Sequence, residues 1–138
     1  MRPRRHLEAT LREESRAYGY SLSIWGAGAL LIGDLGVPST AEVFAFAAGA
    51  VAGFAALALA AFGSPLDRTD DDRPSTVVVS MIHVLATLGS LGCAEALLRG
   101  GTRLGAPGPA VAFLVAAAVT VAYSLLLLVE EGIAELVA

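Results

Sequence analysis

Polar and apolar positions along this chain fall into blocks. Four apolar runs cover about 17–35, 41–62, 76–98 and 109–129, and short charged or Gly/Pro-rich breaks separate them. A run of roughly 20 apolar residues is what an α-helix needs to cross a bilayer. The expected fold is therefore all-α: a polytopic membrane protein with four transmembrane helices in a single domain over 1–138.

The breaks carry helix punctuation. Gly36 and Pro38 stop the first helix and start the second. Ser39 and Glu42 are spaced as a capping box, in which the serine oxygen meets an amide and the glutamate reaches back. The one substantial loop, 64–75, holds Asp67, Arg68, Asp70, Asp71, Asp72 and Arg73 between Pro65 and Pro74, and Ser75 is placed to cap the third run. Arg99, two glycines, Arg103 and a second Gly-x-Pro turn precede the fourth. Before the first run, Leu7 and Leu11 repeat at helical spacing among arginines and glutamates, so 1–16 reads as a cytoplasmic amphipathic segment running into the first span. Residues 130–138, with Glu130, Glu131 and Glu135, form a cytoplasmic tail.

Leu35-Gly36-Val37-Pro38 is echoed by Leu104-Gly105-Ala106-Pro107, and Phe44 then falls on Phe113. This pattern suggests two tandem two-helix hairpins related by a parallel repeat, about an axis along the membrane normal. Small residues supply contact faces: Gly19, Ser23 and Ala27 on the first helix, Ala45, Gly49 and Gly53 on the second.

Composition strengthens the membrane reading. Hydrophobic residues make up 56%, and the mean hydropathy is +0.70, too apolar for an ordinary soluble domain of this size. The formal charge is −4, and all nine basic residues are arginine. Five arginines precede the first span and two lie in the acidic loop, against Arg99 and Arg103 alone in the opposite turns. The positive-inside rule then puts both termini in the cytoplasm of a multi-pass protein in the cell membrane. Cys93 stands alone, which excludes an intramolecular disulfide and a cysteine-based metal site. No basic, aromatic-laced patch points to nucleic acid. The aspartate loop lacks the alternating ligands and turn glycine of a calcium loop. No metal or other cofactor is expected.

Candidate chemistry is concentrated in the third run. Thr76, Ser80, His83, Thr87 and Ser90 recur at spacings of four and three, which aligns them on one helix face. A stripe this polar is costly against lipid, so it is expected to face protein or water. On the antiparallel fourth helix, Tyr123 and Ser124 fall near the depth of His83, and Thr120 extends the polar surface toward Thr87. His83 has two readings: a structural histidine bonded to Tyr123 or Ser124, or a proton-sensitive element of a permeation route. Each hydroxyl also has a local alternative, a bond to its own helix carbonyl.

Asp34, Glu42 and Glu95 sit toward the outer ends of spans and could form an acidic mouth that concentrates cations. Against this, Glu42 is accounted for by capping and Glu95 by Arg99 one turn later. Catalysis has little support, with no HExxH, no phosphate-cradling loop and no marked nucleophile. The chain is not expected to be an enzyme. The expected function is a homo-oligomeric channel or transporter-like protein in the lipid bilayer. It would move a small cation or proton along the third-span stripe. The alternative is a non-transporting accessory or assembly subunit that docks a partner through that stripe.

Overall fold

The structure, a computed structural model, describes residues 3–62 and 83–137. It is all-helical in these residues: α1 is Pro3–Leu35, α2 Thr40–Phe62, α3 Val84–Arg103 and α4 Gly108–Val137. The acidic loop, Thr76 and Ser80 lie outside the described residues. The amphipathic segment and the first apolar run form one unbroken helix of 33 residues. No glycine or proline interrupts the polar-to-apolar boundary at 16–17, so the helical hydrogen bonding simply continues through it.

The two Gly-x-Pro turns end their helices as the residues demand. Gly36 (φ +83°) and Gly105 (φ +68°) both take the left-handed conformation that glycine adopts without steric cost. The Gly36 N–H returns to the Ile32 carbonyl at 2.9 Å, a single αL-type cap. At the second turn Gly105 N–H bonds Thr102 O at 3.1 Å and Ala106 N–H bonds Gly101 O at 3.0 Å, which is a Schellman motif. Between the turns, α2 opens with the expected capping box. Ser39 N–H donates to Glu42 Oε2 (2.6 Å), and Glu42 N–H donates to Ser39 Oγ (3.3 Å).

Helix α4 is the hub, packing against each of the other three. Helix α2 runs parallel to it, with Gly49 seated on the Phe113 carbonyl and Gly53 on the Ala117 carbonyl and Thr120 side chain. Helices α1 and α3 also run parallel to each other, Gly26 against Leu91, and both run antiparallel to α4. Ala27, Leu31, Ala94, Leu98, Val111, Val115 and Val119 fill the resulting core. Small residues predominate, so backbones approach closely and dispersion contacts accumulate.

The backbone of α2 does not approach α1 or α3. Helices α1 and α2 touch through side chains, as where the Tyr20 and Phe54 rings stand 5.0 Å apart. The two hairpins expected as copies are therefore unlike in packing: α3 and α4 lie against each other, whereas α1 and α2 splay. Only their turns match.

Among the described residues two helical stretches, Thr40–Leu57 and Gly108–Ile133, are long and apolar enough to cross a membrane. The first is nearly unburied within the protein, and Val43, Phe44 and Val51 all face outward.

The glycine contacts differ sharply in what they tolerate. Gly49→Ala would place a Cβ into the Phe113 carbonyl and is expected to destabilise the fold by about 1–3 kcal/mol. Gly33 has nothing within reach of an added Cβ, so Gly33→Ala should be neutral or stabilising by up to about 1 kcal/mol. Thermal unfolding of the two variants in the same detergent measures the contrast.

Candidate functional site: a buried polar seam along α4

Polar side chains from α1, α3 and α4 meet in the half of the bundle nearest Arg16. His83 immediately precedes α3 and is 3% exposed. Its Nδ1 lies 3.8 Å from Glu130 Oε2 on α4, and the Ala86 N–H donates to that same oxygen at 3.4 Å. Glu130 therefore occupies the first turn of α3, where unpaired amides and the helix dipole favour negative charge. Beside it, Glu131 pairs with Arg16 and ties the C-terminal part of α4 to α1. The Tyr123 hydroxyl donates to the Arg16 carbonyl at 2.9 Å, so side chain and backbone of one α1 residue are both held by α4.

One layer further in, Tyr20 and Thr120 share a hydrogen bond of 3.0 Å. Thr120 spends its single hydroxyl hydrogen on the Ala116 carbonyl (2.9 Å), so Tyr20 is the donor. The Tyr20 ring is wedged between Phe54 and Tyr123, 5.8 Å from the latter, within the range of favourable edge-on contacts. Ser23, Ser90 and Ser124 each bond a carbonyl of their own helix segment: Gly19, Thr87 and Thr120 respectively. Thr87 differs. Its hydroxyl is buried and makes no hydrogen bond among the described residues, although a buried hydroxyl without a partner is costly.

The described part of the stripe thus faces inward, with Thr87 at 8% and Ser90 at 0% exposure. Thr120 and Tyr123 of α4 are also buried, and both bond to α1. Among the described residues His83 lies beside Glu130. Equal depth pointed to Tyr123 or Ser124, but Tyr123 is engaged by Arg16 and Ser124 by its own helix. Trp25 on α1 is 80% exposed and stands off the seam.

At the other end, Glu42 is held in its capping box and Glu95 pairs with Arg99 Nε at 2.6 Å. Asp34 is exposed and makes no hydrogen bond or ion pair among the described residues. None of the three acids bonds to another. Among the described residues no cluster of His, Cys, Asp and Glu is arranged to hold a metal ion.

Three members of the seam carry no sequence signal for it. Glu130 and Arg16 look like solvated flanks, and Tyr20 like a headgroup aromatic. The one available hint is that Tyr20 adjoins the small face of Gly19, Ser23 and Ala27. That face does turn inward, with Gly19 against the Tyr123 hydroxyl and Ser23 and Ala27 fully buried.

No known protein family, curated protein or solved structure matches this chain.

Bonds between helices and bonds within a helix should respond differently to mutation. Tyr123→Phe removes a cross-helix bond and is expected to cost about 0.5–1.5 kcal/mol. Ser124→Ala loses only a bond to its own helix, which the structure does not need, and should lie within about 0.5 kcal/mol of the parent. Chemical unfolding of the purified variants tests the ordering.

Proposed function

We propose that the chain is a four-span protein of the cell membrane with both termini cytoplasmic, and that its buried seam carries protons. The observation that carries this reading is the His83–Glu130 pair. These two titratable groups adjoin at one end of an otherwise uncharged hydroxyl-lined interior.

Charge spacing supports a membrane crossing by α1 and by α4. Arg16 and Asp34 bracket an uncharged stretch of α1 about 27 Å long at 1.5 Å per residue, and Gly108 to Glu130 on α4 covers about 33 Å. Both lengths match a hydrocarbon core of about 30 Å. Outward-facing Leu22, Trp25 and Ile32 on α1, and Leu85 and Leu88 on α3, extend the apolar exterior beyond α2 and α4. An apolar surface that continuous is what lipid requires and water penalises.

A proton suits this interior better than a hydrated cation. The seam is packed, most of its hydroxyls are closed on neighbouring carbonyls, and a proton needs titratable groups and hydroxyls rather than an open bore. Tyr20, Thr87, Ser90, Thr120 and Tyr123 continue inward from His83 and Glu130, with Thr76 and Ser80 on the same face by sequence. Asp34, Glu42 and Glu95 lie at the opposite mouth. Oligomerisation belongs to this reading: α2 leaves a broad apolar face, and Gly92 and Gly100 on α3 have nothing packed on them among the described residues. The accessory-subunit reading is favoured by a different observation. Ser23, Ser90 and Ser124 are all satisfied locally, as hydroxyls with only a packing role would be.

Two measurements check these proposals. Single cysteines at Val37 and Leu104, placed in a Cys93→Ser background, should both react with an impermeant maleimide added outside intact cells; labelling of only one turn would sink the four-span topology. In proteoliposomes loaded with a pH-sensitive dye, the parent protein should dissipate a proton gradient, and His83→Ala and Glu130→Gln should return the rate to that of empty vesicles. A parent protein that leaves the gradient intact overturns proton transport in favour of the accessory role.

A further inference from the structure

The glycines that draw α2 onto α4 also open a wedge between α2 and α1. These helices are joined by a short turn, yet their backbones diverge from it. Between them lies a cavity of about 170 Å³, open along one side. Gly28 and Leu31 of α1 form one wall and Phe46 of α2 the other, while Ala112 of α4 is the floor and Pro38 closes the end. Glu42 is the single charged residue in the lining.

The carboxylate of Glu42 is only half used. Its Oε2 takes both hydrogen bonds from Ser39, while Oε1 accepts none among the described residues and borders Gly108 at the start of α4. The glycine is what makes room for it, since a Cβ at 108 would strike Oε1. An apolar slot with one fixed carboxylate, one oxygen of which is unengaged, has a definite chemical preference. It repels anions, offers a neutral hydrocarbon only burial, and gives a cation both burial and a charge-assisted hydrogen bond.

We propose that this wedge binds a small primary ammonium ion with an apolar body, its N–H groups donating to Glu42 Oε1 and its body lying against Leu31, Phe46 and Ala112. The size follows from the volume, because a cavity of about 150 Å³ admits a benzene ring. Benzylammonium is therefore the appropriate probe. The site lies at the end of α4 remote from His83 and Glu130, so it does not rest on proton transport through the seam.

The test uses the full chain in nanodiscs, with protein-free discs as the blank, and titrates benzylammonium and its neutral counterpart toluene by saturation-transfer NMR. Saturable benzylammonium binding, tighter than that of toluene, is expected. Glu42→Gln retains the capping geometry, because glutamine also serves in the box; it should weaken benzylammonium severalfold and leave toluene unchanged. Gly28→Leu fills the wedge from a position whose Cβ meets only Phe46, at 3.9 Å, and should abolish binding of both. The proposal is overturned if the parent shows no saturable benzylammonium binding, or binds toluene equally well, which would make the wedge a slot for an acyl chain. It is also overturned if Glu42→Gln binds the ammonium as tightly as the parent. The parent's preference between the two probes decides the matter even if a variant fails to fold.

Discussion

The contact between Gly49 and the Phe113 carbonyl sets the distance at which α2 lies from α4. With no side chain between them, two parallel helices come close enough for many weak dispersion contacts to add up, and Gly53 repeats the arrangement one turn on. The preference of α2 for α4 over its sequence neighbour α1 shapes the rest of the bundle. It makes α4 the shared partner of all three other helices. It also separates α1 from α2, which opens the wedge beside Glu42, and leaves most of α2 facing outward.

The seam shows how a bundle with small core residues accommodates polar groups. In a low-dielectric interior each hydroxyl needs a partner, and the nearest acceptor is usually a carbonyl of its own helix. Ser23, Ser90 and Ser124 take that route and commit nothing to tertiary structure. Tyr20, Tyr123, Glu130 and Arg16 have longer side chains and reach across to another helix. The cross-helix polar contacts therefore belong to the aromatics and charges at one end of α4, and the short hydroxyls line the space between them. Thr87 is the exception among the short side chains, buried with its hydroxyl unengaged one turn from His83.

The two ends of α4 are chemically distinct. Near Gly108, a carboxylate is anchored at the start of α2 beside an apolar cavity. Near Glu130, acids, an arginine, a histidine and phenols are knitted between three helices. Val111, Val115 and Val119 of α4 lie between the two ends in the apolar part of the core.

Much of the local structure was legible from residue spacing alone. The all-helical class, the two left-handed glycines, the Ser39–Glu42 capping box and the Glu95–Arg99 pair all depend on groups within one or two turns of each other, which a linear pattern encodes directly. The GxxxG pair was legible as a contact surface, but its partner was not. The choice between α1 and α4 depends on the summed fit of many side chains, and no single residue announces it. For the same reason the apparent repeat did not extend to packing, and His83 met Glu130, which looked like a solvated tail residue. Hydropathy and periodicity determined which segments are helical and which faces are small or polar. Only the tertiary structure decided which helices became neighbours, and with that which charges share a site, because complementarity between distant surfaces is not written in any one stretch of the chain.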